Sequence, residues 1–339
     1  MKQKTAIITG ISGQDGYFLS QLLLNKGYKV YGIERRNSQS SNGNLDKLPD
    51  KIKSQIKVIW GDITDTSFID ETINKIKPDE LYHLAAQSFV ALSFTNSKST
   101  YDINIGGTLN IANAVKDYSP KTKVYFAATS ELFGKSNVKK QNENTPFYPK
   151  SPYGISKLAG FWTMKNYREN YGLFMSNGIL FNHESEVRGP EFVSRKITLG
   201  IADIIKGKKE FIELGNIDSQ RDWGYAGDYV EAMWAILQHD KPDDFVICTG
   251  KVNTIRTFVE ESFKVATGKL ISWEGVGVNE VGMIDDKIVV KINPEFYRPN
   301  DVTYLCGDCS KAKKILGWSP KTSFKKLVKI MINHDLGRV

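Results

Sequence analysis

The chain has 339 residues, of which 40% are hydrophobic and 25% charged, and its formal net charge is +8. These proportions belong to a folded globular protein and exclude a disordered or fibrous one, and the length suffices for a large α/β body with a smaller lobe. Lys and Arg are spread along the chain rather than gathered in one patch or arm, which argues against nucleic-acid binding and suits an anionic small substrate equally well.

In chain order, Met1 to Thr5 run into a strand-like segment with no apolar signal core, and no stretch of about 18 apolar residues follows. A cytoplasmic protein without a membrane span is therefore expected. Strands are predicted over residues 5–9, 29–33, 56–60, 80–84 and 123–127, short runs rich in Val, Ile, Tyr and Leu bounded by Gly, Asp or Pro. Between the first two, Phe18, Leu19, Leu22 and Leu23 share one helical face, and Gly27 follows as a C-cap signal. This alternation predicts a Rossmann-type α/β fold, a doubly wound parallel sheet whose ligands bind at the carboxyl ends of the strands. After about residue 183 the pattern weakens, with helix-like runs at 228–237 and near 324–332. The expected division is a dinucleotide-binding body of residues 1–182 with roughly 223–250, and a smaller, mixed α/β substrate lobe of 183–222 and 251–339. Cys248, Cys306 and Cys309 are too few for a disulfide framework, and Cys306 and Cys309 lack the thioredoxin-type context and the companion ligands that redox or zinc chemistry needs.

Gly10, Gly13 and Gly16 form a G-x-x-G-x-x-G pattern after the first strand and at the opening of the first helix. Backbone N–H groups and a positive helix end can then approach a pyrophosphate that larger side chains would block. Which dinucleotide binds is left open: Glu34 at the second strand's end suits the ribose hydroxyls of NAD, whereas Arg35, Arg36 and Ser38 suit a 2′-phosphate and tilt the expectation to NADP. Asp62, after the third strand, is either an acceptor for adenine or a helix N-cap.

Tyr153 and Lys157 are four residues apart, which places both on one face of a helix. A cationic Lys beside a phenol lowers its pKa and makes it a base for a sugar hydroxyl. Thr129, Ser130 and Glu131 follow the fifth strand, where catalytic groups of a parallel sheet gather; a cap and a first-turn carboxylate are the structural alternative. A glutamate here is an extra base that simple alcohol oxidation does not need.

With these residues in view, the chain resembles the GDP-mannose 4,6-dehydratases over nearly its whole length. The likeness runs from Ile8-Thr9-Gly10 through Thr129-Ser130-Glu131-Leu132 and Phe147-Tyr148-Pro149-Lys150-Ser151-Pro152-Tyr153 to Asn177-Gly178-Ile179-Leu180-Phe181-Asn182-His183-Glu184-Ser185. It continues in Arg195-Lys196-Ile197, Leu214-Gly215-Asn216, Arg221-Asp222-Trp223-Gly224 and Tyr297-Arg298-Pro299. The resemblance implies that Thr129, Glu131, Tyr153 and Lys157 are catalytic and that NADP is held tightly, with Gln14, Asp15, Ile63, Leu84, His183 and Arg188 joining the cofactor set. It further implies a GDP-sugar substrate met by Ser88, Asn182, Lys196, Leu214, Gly215, Arg221 and Arg298, and a homodimer or homotetramer. In the implied reaction Tyr153 removes the 4-hydroxyl proton as C4 gives hydride to the nicotinamide, Glu131 abstracts the C5 proton, water leaves C6, and hydride returns to C6. A sugar epimerase or reductase is the enzymatic alternative, and a non-catalytic dinucleotide-binding protein the other.

Some features stay two-sided. Arg221 is either a phosphate ligand or the ion-pair partner of Asp222. His83 and His183, single histidines among strand-end residues, also read as hydrogen-bonded structural groups. Glu186 and Val187 stand where the family usually has a proline and a basic residue, a segment expected near the sugar, so a GDP-activated manno-heptose is an alternative substrate. Glu34 is a second departure from the family pattern.

Overall fold

The computed structural model describes residues 3–36, 38, 41–296 and 304–338. Its centre is a seven-stranded parallel sheet: β1 (Thr5–Thr9), β2 (Lys29–Glu34), β3 (Ile56–Trp60), β4 (Glu80–His83), β5 (Lys123–Thr129), β6 (Met175–Leu180) and β7 (Asp244–Ile247), in the spatial order β7-β6-β5-β4-β1-β2-β3. The chain winds one way from β1 to β3 and the other way from β4 to β7. The switch point, where a ligand crevice opens in such sheets, falls between β1 and β4. The predicted doubly wound Rossmann fold is therefore present.

Successive strand residues point to opposite faces and feed two cores. Ala6 and Ile8 join Tyr82 and Tyr125 under the helices Gln14–Asn25 and Ala226–Gln238. Ile7, Leu81, Val124 and Phe126 join Ile69, Ile111 and Phe161 of the helices Thr66–Ile76, Gly107–Tyr118 and Pro152–Tyr171 on the other face. A third core of Ile197, Ile201, Trp223, Phe258, Val290 and Met331 lies outside the central sheet. There the helices Val193–Ile205, Ile255–Thr267 and Phe324–Leu336 pack on a mixed four-stranded sheet.

Several boundaries differ from the sequence reading. β5 runs two residues past the expected end, so Thr129 is its last strand residue, while β4 stops at His83. Asp62 is not a helix cap: its Oδ1 accepts from the N–H and hydroxyl of Thr64 at 2.9 and 2.8 Å, and Asp65 caps the next helix by accepting from the Phe68 N–H at 3.1 Å. Among the described residues no helix is long and apolar enough to cross a membrane.

Candidate active site

One cleft of about 1260 Å³ opens along the carboxyl ends of the strands. This exceeds the ~300–1,000 Å³ of a usual single-ligand pocket and accords with two ligands lying side by side. At one end stands the glycine loop. Gly10 has φ +70°, and a Cβ there would lie 2.8 Å from Ala85 Cα; a Cβ on Gly16 would lie 2.2 Å from the Ile11 carbonyl oxygen. These two glycines thus also answer to the protein's own packing, while both line the cleft. Gly13 is different: it is the N-cap of the helix Gln14–Asn25, offers no side-chain cap, and leaves the first-turn N–H groups at the cleft wall. An anion at that helix start fits, so the residues present suit a pyrophosphate.

Beyond the loop, Glu34, Arg35, Asp62, Ile63 and Leu84 line the cleft from the ends of β2, β3 and β4. Glu34 Oε2 accepts from the Ser12 N–H at 3.3 Å. Arg36 and Ser38 are exposed and do not line the cleft, so the basic signal there narrows to Arg35.

The helix Pro152–Tyr171 begins at the cleft because Ser151 caps it, its hydroxyl accepting from the Gly154 N–H at 3.0 Å, with Pro152 fixing the first turn. Tyr153 and Lys157 are thereby placed one turn apart at the cleft wall, 8% and 3% exposed. Lys157 Nζ donates to the Ala127 carbonyl oxygen at 2.8 Å. Burial pushes this ammonium down to about 7, against a smaller opposing pull from Asp15. Burial likewise pushes the Tyr153 phenol up to about 12, although a hydrogen bond with the Thr129 hydroxyl opposes it. The expected lowering of the phenol by Lys157 is thus absent, because the ammonium is held at Ala127 and burial dominates both groups.

Thr129 ends β5, and its Oγ1 accepts from the Glu131 N–H at 3.2 Å, so the capping alternative holds for the short 3-10 turn Ser130–Leu132. Capping and lining coexist, since Thr129, Ser130 and Glu131 all face the cleft. The Glu131 backbone abuts the start of the catalytic helix: a Cβ on Gly154 would lie 3.1 Å from the Glu131 carbonyl oxygen. A base, a phenol, an ammonium and a hydroxyl therefore share one wall.

The cleft is also lined by Ser88, Asn182, Lys196, Leu214, Gly215 and Arg221. Lys196 Nζ lies 3.6 Å over the Phe296 ring. Asp222 is fully buried and bound elsewhere, accepting from the N–H groups of Thr249 and Gly250, both at 2.8 Å, and of Gly307 at 3.2 Å. This corrects the Arg221–Asp222 ion-pair alternative. Arg298 lies outside the described residues.

His83 is structural: its ring nitrogens meet Thr9 Oγ1 at 2.9 Å and Thr108 Oγ1 at 3.0 Å, and burial pushes it down to about 3. His183 and Asp15 face each other at the cleft wall. Arg188 also lines the cleft, its Nε 3.1 Å from Glu184 Oε2 as a charge contact without hydrogen-bond geometry, its guanidinium 3.5 Å over the Phe192 ring. The segment between them departs from expectation. Val187 is buried, and Glu186 turns to the Tyr225 hydroxyl at 3.4 Å, so neither lines the cleft or meets the sugar side.

Sequence reasoning missed Asn104. It lies in a π-helical turn, Asp102–Gly106, and its side chain accepts from the Gln87 N–H at 2.8 Å and donates to Ser156 Oγ at 2.9 Å. It therefore joins the wall after β4 to the residue preceding Lys157. Phe89, Phe94, Phe192 and Phe296 were also missed as cleft-lining aromatics. Among the described residues no cluster of His, Cys, Asp or Glu could hold a metal ion.

The GDP-mannose 4,6 dehydratase family profile matches residues 7–331. The GDP-mannose 4,6 dehydratase of Homo sapiens is 48% identical, with 98% of this chain and 92% of that protein covered. The enzyme of the same name from Yersinia enterocolitica is 45% identical, with 98% and 94% covered. Among solved structures, UDP-glucose 4-epimerase from Thermotoga maritima superposes with a TM-score of 0.81 at 24% identity, covering 97% of this chain and 98% of that one. DesIV, a dTDP-glucose 4,6-dehydratase from Streptomyces venezuelae with NAD and TYD bound, gives 0.81 at 19%, covering 97% and 96%. At such identity the two structures share the fold.

Proposed function

The chain belongs to the GDP-mannose 4,6-dehydratase family, and on that premise we propose that it converts GDP-mannose into GDP-4-keto-6-deoxymannose with loss of water. The observation that carries this reading is Glu131, a carboxylate on the same cleft wall as Tyr153, Lys157 and Thr129. Oxidation at C4 alone needs the tyrosine; elimination across C5 and C6 needs a further base.

The residues divide the proton work. Tyr153 accepts the proton of the 4-hydroxyl as a phenolate, a form that the hydrogen bond with Thr129 favours against burial. A nicotinamide dinucleotide held by the glycine loop and the strand-end residues would supply the hydride acceptor and donor that oxidation at C4 and reduction at C6 require. Glu131 removes the C5 proton, which a 4-ketone acidifies, and with Thr129 assists departure of the C6 hydroxyl as water. Lys157 holds its ammonium at the Ala127 carbonyl oxygen, over the Phe126 ring, and orients the cofactor's ribose from that wall.

The glycine loop with Gln14 and Asp15, the strand-end residues Glu34, Arg35, Asp62, Ile63 and Leu84, and His183 and Arg188 form the cofactor side. NADP is the cofactor we propose: Glu34 is engaged by the Ser12 N–H, and Arg35 is the cation at the end of β2 that lines the cleft. Ser88, Asn182, Lys196, Leu214, Gly215 and Arg221, with Arg298, form the substrate side. Residues 1–182 with 223–250 form the dinucleotide-binding body and 183–222 with 251–339 the sugar-nucleotide lobe, with His183 and Arg188 of the lobe reaching the cofactor and Ser88 and Asn182 of the body reaching the substrate. The protein works as a cytoplasmic homo-oligomer. The half-exposed Leu109, Ile155 and Trp162, on the adjacent helices Gly107–Tyr118 and Pro152–Tyr171, support a second copy packing there.

Incubation with GDP-mannose in deuterated solvent tests the reading. A dehydratase incorporates solvent deuterium at C5 of the product, and a 4-epimerase leaves C5 untouched.

A further inference from the structure

Asp15, in the first turn of the helix Gln14–Asn25, puts a carboxylate at the cleft wall beside the open N–H groups that would take a pyrophosphate. An uncompensated carboxylate there repels that anion in a setting that water screens poorly. Its partner is His183, whose Nε2 lies 3.0 and 2.9 Å from Asp15 Oδ1 and Oδ2 and whose Nδ1 lies 2.8 Å from the Phe181 carbonyl oxygen. A carbonyl oxygen only accepts, so Nδ1 carries a proton; Nε2, facing a carboxylate, carries the second. The ring is an imidazolium, stacked on Tyr229 with centroids 4.7 Å apart. Burial opposes that charge, but the Asp15 carboxylate outweighs it and holds His183 above its ordinary pKa. Burial also opposes the ionised Asp15, which His183 and then Arg188 hold below the usual carboxylate range. Gln14 of the same turn donates to the His183 carbonyl oxygen at 3.0 Å and accepts from Ser185 Oγ at 2.8 Å, so loop and strand are tied together.

We propose that His183 is a positioning residue that neutralises Asp15 at the dinucleotide's pyrophosphate, so that cofactor affinity falls as His183 loses its proton at rising pH. This rests on the dinucleotide-binding reading of the cleft. Below the titration the pair carries no net charge; above it the pair is a single negative charge beside a pyrophosphate. The other groups facing the pair are Arg188, Lys157, Tyr125, Tyr153 and the stacked Tyr229. Burial pushes the three tyrosines up in the cofactor-free protein, away from the pH range of the test. Lys157, pushed down to about 7, also loses its proton within the pH range of the test and must be told apart.

The test is titration of the cofactor-stripped protein with NADPH and, separately, NADH, followed by nicotinamide fluorescence from about pH 6 to about pH 9.5. The expected result is a Kd that weakens ~10-fold or more with rising pH for both nucleotides. Asp15→Asn binds at least as tightly as the parent, and its pH step moves to lower pH because burial of His183 is no longer opposed by that carboxylate. His183→Gln binds weakly at every pH, and the Asp15→Asn/His183→Gln double variant regains parent-like affinity. A parent Kd independent of pH overturns the inference, as does a step that stays at the parent's pH in Asp15→Asn, which assigns it to Lys157. A double variant as weak as His183→Gln gives His183 a packing role only, and also overturns it. Should His183→Gln fail to fold, the parent and Asp15→Asn profiles decide alone. Absence of binding by either nucleotide at any pH overturns this inference together with the cofactor reading, whereas pH-independent binding overturns this inference only.

Discussion

Lys157 Nζ stands 2.8 Å from the carbonyl oxygen of Ala127, buried over the ring of Phe126. The ammonium has one carbonyl and an aromatic face for company, and burial accordingly pushes its pKa from 10.5 to about 7. Between those values the unfolded chain binds the extra proton and the folded chain does not. Stability from this group therefore rises with pH across the window, and the cost of the charge is fully felt at its lower end.

Lys157→Met is expected to raise the Tm of the cofactor-free protein at neutral pH, with the gain shrinking as pH approaches the unfolded value. Turnover in the same variant should fall ~100-fold or more. Melting curves of parent and variant at several pH values check this, and a lower Tm for the variant at neutral pH contradicts it.

Tyr153→Phe removes one hydroxyl at the cleft wall and leaves the helix start, capped by Ser151, intact. Turnover of GDP-mannose should fall ~100-fold or more while its Kd changes little. Calorimetric titration beside the rate assay separates the two quantities. Near-parental turnover removes Tyr153 from the proton step.

Glu131→Gln keeps size and hydrogen bonding but abolishes the base. Oxidation at C4 then proceeds without elimination, so reduced nicotinamide accumulates and is visible by absorbance. Exchange of the C5 hydrogen with deuterated solvent should fall by a factor of ~100 to ~10,000. Parental exchange and parental water loss would assign the base to another residue.

For the cofactor, mass analysis of what the protein releases on heating should find NADP. Arg35→Ala should then weaken NADP binding ~10-fold and leave NAD binding nearly unchanged. Recovery of NAD alone means that Glu34 at the end of β2 decides the preference.

Much of this was legible in the sequence because β1 to β5 are short segments rich in Val, Ile, Tyr and Leu, and because the glycine loop and the Tyr153–Lys157 spacing are local patterns. β6 was harder: Ser176, Asn177 and Gly178 interrupt its apolar pattern. The structure buries them through long-range partners, Asn177 Nδ2 donating to Asp244 Oδ1 at 2.7 Å and Gly178 leaving space for the Tyr125 phenol. Asn104 was invisible for the same reason, since its partners Gln87 and Ser156 are distant in sequence and meet it only in the fold. Glu186 and Val187 were misjudged because strand ends near a cleft do not reveal which way each side chain turns. Val187 goes into the core and Glu186 to Tyr225.

The central claim is an internal transfer of hydrogen from C4 to C6 with loss of water, and GDP-mannose carrying deuterium at C4 tests it most directly. The account predicts a product lighter than the substrate by one water, with the deuterium at C6 and no net consumption of added cofactor. A product that keeps all its oxygen, or deuterium found on free cofactor instead of C6, contradicts it. Running GDP-manno-heptose beside GDP-mannose fixes the sugar; the account predicts faster turnover of GDP-mannose, and turnover of the heptose alone contradicts the proposed substrate.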